Sequence, residues 1–312
     1  MADGSGDTPV SPPTELGLSR RYLRAHQSPK VGANLRGANL GGKRFRDVDL
    51  TWADFRGANL ERANFSDASM ADSNLSGANL AYANLTAVSL QRSNLMGAVL
   101  MSATLNQANL HQANLGGVNL TEAELDGANL TEAELSDTML RRARLVGAQL
   151  TRAQMYRVNA NGAELYGIQG CDAQLYQAHL QGCDLRQAQL TQANLTGANL
   201  TGANLNQAQL IRANLTGATF HQANLAWANL THATLTDVNF QQAVLNHATL
   251  METELLGVNF HRARLDYATI QDSYFQGVVW HQTSVQGTVF CNVVGLTGLE
   301  QAWLRSQGAI IH

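Results

Sequence analysis

The stretch VGANLRGANLGGKRFRDVDLTWADFRGANL, residues 31–60, repeats a five-residue pattern that continues without a break to Phe290. Every fifth residue from Leu35 onward is large and apolar, except Ala160 and Gly170. The position two before this central residue is mostly Ala, and the residue between them is mostly Asn, Asp, Gln, Glu or Thr. A repeat this regular decides the architecture more firmly than chain length does.

A period of five fits neither the 3.6-residue turn of a helix nor a long alternating strand. It fits short extended pieces that are joined by a turn in every unit. Within each piece, alternation directs the central residue and the residue two before it to the same side, the interior. Glycine often occupies the second position after the central residue, as at Gly37 and Gly57, where a turn needs a positive φ. The pattern therefore predicts a stack of short strands and turns.

The repeated Ala-Asn-Leu at 33–35, 58–60, 193–195 and 198–200 resembles the pentapeptide-repeat proteins, in particular the cyanobacterial type with an uninterrupted repeat. This resemblance implies an all-β fold, the right-handed quadrilateral parallel β-helix, in which four pentapeptides make one coil. The 52 units would then form about 13 coils. Stacked at the usual strand spacing, these coils would give a rod of roughly 60 Å.

The chain divides into four predicted segments: a disordered N-terminal tail, an N-terminal capping helix, the repeat, and a C-terminal loop with a capping helix. They cover residues 1–13, 14–30, 31–290 and 291–312. The first is rich in Gly, Ser, Pro and Asp and has little to bury. The two helices have a physical purpose, because a repeat stack leaves an apolar end open.

The C-terminal helix has recognisable signals. Thr297 and Glu300 have the spacing of a capping box, and Gly308 stands where a helix C-cap is expected. Three apolar side chains are expected to lie on the last coil as a lid: Leu299, Trp303 and Leu304.

The composition limits the class of function. A formal net charge of −3 argues against direct binding of nucleic acid, which usually needs a basic domain. Three widely spaced cysteines favour a reducing compartment. No apolar run reaches the roughly 18 residues of a membrane span, and no signal core begins the chain. We therefore expect a cytoplasmic monomer that does not enter membranes.

The sequence contains no nucleophile–base set, phosphate-binding glycine loop or zinc spacing. An interior filled with Leu and Ala leaves no concave site for a substrate. We therefore expect a protein that is not an enzyme and has no cofactor or metal. His221, His261 and His281 share one outward column, but without Cys or carboxylate partners we interpret them as surface residues.

Charged residues twenty apart should lie in adjacent coils. Four such pairs of opposite charge stand out: Glu122–Arg142, Glu124–Arg144, Glu132–Arg152 and Asp137–Arg157. Two columns extend further, to Glu164 and to Asp172. The pattern favours a ladder of exposed ion pairs, each contributing at most about 1 kcal/mol. A charged docking band is the alternative.

Two outward regions are candidate partner contacts. The first surrounds the coil with Ala160 and Gly170 and contains Tyr156, Arg157, Tyr166 and Tyr176. Tyrosine is enriched in interfaces, but we favour the alternative, a repacked defect in which Ile168 fills the space left by Gly170. The second contains Met96, Val99, Met101, Met139, Arg141 and Arg142. Exposed methionines rimmed by arginine suit a protein contact, whereas scattered surface apolar residues are also common.

Two functions follow from these observations and the resemblance. The first is a rigid, non-enzymatic scaffold for a protein partner with a regulatory role, as in cyanobacterial members of the family. The alternative is a DNA mimic that modulates DNA gyrase. The balanced charge and the absence of inserted loops weigh against this alternative.

Overall fold

The computed structural model describes residues 32–312, where the chain forms a parallel β-helix solenoid. Residues twenty positions apart pair in parallel throughout the repeat, as Asn34 does with Asp54 and Asn114 with Glu134. Four pentapeptides therefore make one coil. The predicted disordered tail at 1–13 and capping helix at 14–30 lie outside the described residues.

Backbone hydrogen bonds join each face of a coil to the next coil. On the face of Phe260, the N–H of Phe260 donates to the carbonyl oxygen of Val279 at 2.9 Å, and the N–H of Arg262 donates to that of His281 at 3.0 Å. In the opposite direction, the N–H of Val279 donates to the oxygen of Val258 at 2.9 Å. Because each unit repeats this pattern, the backbone polar groups are paired without long strands.

Extended segments of two or three residues occur only towards the C-terminus of the described chain. They are β1 (Thr234–Thr236), β2 (Thr249–Met251), β3 (Glu254–Leu256), β4 (Thr269–Gln271), β5 (Tyr274–Gln276), β6 (Val289–Cys291) and β7 (Ile310–Ile311). One parallel sheet has the order β1-β3-β5, and the other has the order β2-β4-β6-β7. Elsewhere each coil is a series of single bridges separated by turns.

The second residue after each central position adopts a positive φ, between 51° and 68°, in every unit from Leu35 to Phe290. Glycine was expected in this conformation, but non-glycine residues such as Trp52 and Arg62 share it. For an L-residue this region costs roughly 1–2 kcal/mol. The corner N–H is nevertheless tied to the next coil, as from Arg62 to the oxygen of Ala81 at 2.9 Å, and this pairing holds the conformation.

The interior is a continuous core of the central residues and the small residues two before them. Polar replacements in the core are hydrogen-bonded, as where the Thr138 hydroxyl donates to the oxygen of Leu115 at 2.7 Å. Four aromatic rings stack in one column near the C-terminal end, with centroids 5.1, 5.4 and 5.2 Å apart. They belong to Phe220, Phe240, Phe260 and Trp280.

The coil with Ala160 and Gly170 keeps the regular ladder. The N–H of Gly170 donates to Gln189 at 2.7 Å, and that of Ala160 donates to His179 at 2.8 Å. An apolar void of about 10 Å³ remains beside Gly170, and Ile168 contributes to its lining. A void this small and apolar stays dry. Ile168 therefore takes up part of the space that a central leucine fills in other coils.

One helix, α1 (Gly298–Ser306), follows the last coil. The predicted capping box is present: the Thr297 hydroxyl accepts from the N–H of Glu300, and the Glu300 carboxylate accepts from the N–H of Thr297. Leu304 is buried, but Leu299 is 86% exposed, so the prediction that Leu299 lies on the last coil is wrong. It stands at the rim of an open recess that no other described residue fills.

Strand β7 was not predicted from the sequence. After α1, the chain returns to the last coil, and Ile310 and Ile311 pair in parallel with Val289 and Phe290 of β6. No helix among residues 32–312 has the length and apolar character needed to span a membrane.

Candidate interaction surfaces

Register fixes which outward residues lie together. Face A carries the central residues Leu95, Leu115, Leu135, Met155 and Leu175, and face B carries the next central residue along the chain in each coil. The two faces meet at one corner column, which passes from Gly97 and Gly117 to Asp137 and Arg157. Nine of the thirteen residues in this column, from Gly37 to Gly277, are glycine.

The candidate methionines lie mainly on face B. Val99 and Met101 flank Leu100, and Met139 and Arg141 flank Leu140 two coils further on. Val99 is bridged to Asn119, which is bridged in turn to Met139, so these side chains share one column. Met139 is 41% exposed and Val99 is 37% exposed.

Met96 and Arg142 extend this region around two corners. Met96, which is 54% exposed, lies on face A beside Gly97. Arg142 lies at the opposite corner of face B, with its guanidinium 3.9 Å from the Glu122 carboxylate. Arg141 is exposed and makes no ion pair within residues 32–312.

Two of the three tyrosines belong to the same region. Tyr156 and Tyr176 lie on face A, in the column of Met96, and the N–H of Arg157 donates to the oxygen of Tyr176 at 2.9 Å. Tyr166 is half a coil from both, so it lies on the opposite face. Its hydroxyl donates to Gln187 at 2.7 Å, and the Arg186 guanidinium lies over its ring.

We call the surface formed on faces A and B the contact strip. It consists of Met96, Val99, Met101, Met139, Arg141, Tyr156, Arg157 and Tyr176. Along its shared corner the glycines give way to Asp137 and Arg157, which form a bidentate ion pair with distances of 2.8 and 2.6 Å. The hydrogen bonds from Arg157 lower the pKa of the Asp137 carboxyl. The strip thus combines apolar side chains, two aromatic rings and a fixed ion pair.

Three of the predicted inter-coil ion pairs are present, with N–O distances of 3.9, 3.6 and 2.6 Å: Glu122–Arg142, Glu132–Arg152 and Asp137–Arg157. The predicted pair of Glu124 with Arg144 is wrong. Arg144 turns to Asp126 at 2.8 Å and lies 3.8 Å from Glu164. Glu124 instead accepts from the Asn106 side chain at 3.1 Å. All these carboxylates and guanidiniums are substantially exposed, so the pairs add little stability.

The histidine column contains no metal site within the described residues. His261 and His281 stack with ring centroids 5.1 Å apart, and the Nδ1 of His261 lies 3.1 Å from the backbone oxygen of His281. No group of three potential ligands converges anywhere in residues 32–312. Burial raises the pKa of the Cys183 thiol to about 12, so this thiol is a packing residue and not a nucleophile.

A second aromatic surface was missed in the sequence. Trp227, His247 and Tyr267 occupy successive positions of another corner column, with ring centroids 4.0 and 5.3 Å apart and nearly parallel planes. The outer two rings are 56% and 57% exposed. The signal was available, because these residues are twenty apart at the corner position of the repeat.

Gly287 continues this column and leaves room for Tyr267. We expect Gly287→Ala to lower the free energy of unfolding by about 1–2 kcal/mol through its positive φ, and more through a clash. Its Cβ would lie 2.7 Å from the Tyr267 ring. Gly277→Ala is the control, since its φ is equally positive but its Cβ meets nothing closer than 3.9 Å. If both variants lost the same free energy of unfolding and the NMR resonances of the His247 ring were unchanged, the packing of Gly287 against Tyr267 in this aromatic column would be contradicted.

The family described as Pentapeptide repeats (8 copies) matches residues 31–168 and 171–255, which is well over half of the chain. No curated protein matches this chain.

Solved structures of three pentapeptide-type proteins are similar to the chain. HetL from Nostoc sp. strain PCC 7120, involved in heterocyst differentiation regulation, is 26% identical over 89% of this chain and 97% of HetL, with a TM-score of 0.27. QnrB1, a plasmid-mediated fluoroquinolone resistance protein, is 18% identical over 69% of this chain and 89% of its own, with a TM-score of 0.30. A pentapeptide repeat protein from the Arabidopsis thaliana thylakoid lumen is 23% identical over 42% of this chain and 81% of its own, with a TM-score of 0.24.

Proposed function

Because this chain belongs to the pentapeptide-repeat family, we propose that it is a rigid, non-enzymatic scaffold that binds a protein partner through the contact strip. The observation that carries the proposal is the shared register of the strip residues. Residues separated by up to eighty positions in sequence fall into three columns on faces A and B: Met96, Tyr156 and Tyr176 in one, Val99 and Met139 in the next, and Met101 and Arg141 in the third. Methionine, tyrosine and arginine are the residue types enriched in protein interfaces.

Rigidity is the second support. Each face is fixed by backbone hydrogen bonds to both neighbouring coils, so the outward side chains are presented on a surface that does not need to order on binding. Preorganisation reduces the entropic cost of association. The glycine corner beside the strip also allows a partner to approach the backbone closely.

The role that we propose is regulatory, exerted through binding alone, by a cytoplasmic monomer without cofactor. We also propose that the solenoid is right-handed and four-sided and that it forms a rod of about 13 coils. The alternative, a DNA mimic acting on gyrase, requires a broadly acidic surface. The pairing of Asp137 with Arg157 and of Asp72 with Arg92 weighs against it, because these acidic groups are neutralised by neighbouring coils.

A matched pair of triple variants tests the contact strip. We expect Met101→Ala, Met139→Ala and Tyr176→Ala together to lower the recovery of partners from native lysate at least tenfold, because these side chains supply the apolar contact area. The control replaces Ile211, Met251 and Tyr166 by Ala on the other two faces. Quantitative mass spectrometry of the captured proteins compares the two.

Partners that are retained equally by both triple variants would exclude the strip as the binding surface. Circular dichroism establishes that both variants remain folded, which is expected because none of the six side chains belongs to the core. Loss of partners from the control alone would assign binding to the opposite faces.

A further inference from the structure

The face of the last coil around Trp280 ends in unpaired backbone groups. One coil earlier, the face of Phe260 makes the three inter-coil hydrogen bonds described above. The corresponding groups on the last coil are the N–H of Trp280, the N–H of Gln282 and the carbonyl oxygen of Val278. None of them has a hydrogen-bond partner within residues 32–312. Two donors and one acceptor therefore face the end of the solenoid.

An open recess of about 310 Å³ adjoins this edge. Its lining consists of Trp280, His281, Gln282, Leu299, Glu300 and Trp303. Leu299 is 86% exposed at its rim, although it is a large apolar residue. Trp280 is 7% exposed, and its indole Nε1–H is buried without an acceptor in the described chain. A buried donor without a partner is costly.

The other faces of the last coil show what this edge can accept. There the chain itself adds a partial coil: β7 pairs in parallel with β6, and the N–H of Gly287 donates to the oxygen of Gly308 at 2.9 Å. Helix α1 passes the Trp280 face without pairing to it, because its own backbone bonds are made within the helix. The edge is thus extended on the face of Phe275 by Val294 and on the face of Phe290 by β7, and it is left open at Trp280.

We propose that the open edge binds an extended peptide of a partner protein, which pairs in parallel with residues 278–282 as one further partial coil. The peptide would receive hydrogen bonds from the N–H groups of Trp280 and Gln282 and donate one to Val278. This is strand addition to a free sheet edge, in which the main chain provides affinity and the side-chain pockets provide specificity. The site lies at the end of the solenoid and is independent of the contact strip.

The repeat defines the chemistry of this peptide. Its central residue would lie above Trp280 and against Leu299 and Trp303, so it must be large and apolar. The residue two before it would point inward above Val278, so it must be small. A charge at the central position would be buried without a partner, which is strongly unfavourable. A second copy of the whole rod is a poor occupant, because α1, β7 and Val294 already occupy other parts of the same end of the solenoid.

The test uses the acetylated and amidated peptide TGANLTG, the sequence of residues 196–202, as the probe. At about 1 mM peptide, a concentration that detects weak binding, we expect amide hydrogen exchange at Trp280 and Gln282 to slow at least tenfold. The same peptide with Asp in place of its Leu should leave both exchange rates unchanged.

Protein variants locate the site. Leu299→Ala is expected to weaken binding of the TGANLTG peptide at least fivefold in calorimetric titration, and it should fold normally because Leu299 is so exposed. Trp52→Ala, which removes a large exposed side chain outside the contact strip and far from the last coil, is the control and should bind as the unmodified protein does. Unchanged exchange at Trp280 and Gln282, protection confined to other residues, or equal binding by Leu299→Ala would each overturn the proposal.

Discussion

Phe240→Ala is expected to lower the free energy of unfolding by about 3–5 kcal/mol, the usual cost of removing a buried aromatic ring. Phe240 is fully buried between Phe220 and Phe260, with centroids 5.1 and 5.4 Å away. The coils above and below are held at a fixed spacing by backbone hydrogen bonds, so they cannot collapse into the cavity. Denaturant unfolding, with hydrogen exchange of coils 220–260, measures the loss.

Tyr274→Ala is the control for this prediction. Tyr274 points outward, is 41% exposed, and makes one long side-chain hydrogen bond, to Gln276 at 3.5 Å. Its loss should change stability by only about 0.5 kcal/mol. If Phe240→Ala were as mild as this control, the aromatic column would not be a tightly packed part of the core.

The architecture was predictable because a single five-residue repeat determines it. A large apolar residue at every fifth position, with a small residue two before it, leaves the chain few ways to bury both. The resemblance to a known family added the closure of four units into a coil, and the pairing of Asn34 with Asp54 confirms a coil of twenty residues. Leucine and alanine at the inward positions then fill the core of the described residues.

Corner conformation was predictable only in part. Glycine at Gly37 or Gly57 indicates a positive φ directly, because glycine alone adopts it freely. Arg62, Trp52 and Tyr82 give no such local signal, yet they have the same φ. The inter-coil hydrogen bonds of the corner N–H impose it. This conformation is therefore a property of the stack and not of the individual residue.

Side-chain pairing and the C-terminus were the least predictable parts. Twenty-residue spacing places Arg144 beside Glu124, but the long guanidinium also reaches Asp126 in the preceding coil and pairs with it at 2.8 Å. For Leu299, apolar character predicted burial, whereas the helix places it beside an unfilled recess. Strand β7 has only two residues, and its pairing depends on where α1 ends, which periodicity does not encode.

The contact strip depends on the register of the coils. Inserting one five-residue unit changes this register while it leaves the repeat pattern, and therefore the fold, intact. We expect the five residues Thr-Gly-Ala-Asn-Leu inserted after Leu125 to preserve the fold, because the five-residue pattern continues unbroken. Everything after the insertion would, however, turn by one face. Met139 and Tyr176 would then leave the faces of Met101 and Met96, and recovery of strip-dependent partners should fall at least tenfold. The exposed ion pairs that span this point would be lost at a cost of at most about 1 kcal/mol each.

The same five residues inserted after Leu185 form the matched control. This site follows Tyr176, so the insertion has the same local effect on the stack and leaves the strip intact. Partner capture from lysate and circular dichroism distinguish the outcomes. If both insertion variants captured their partners equally well, the partners would not bind the strip residues as one continuous surface. Unfolding of both would show that stacking needs the specific neighbours in adjacent coils, because the five-residue pattern would then be insufficient to maintain the fold.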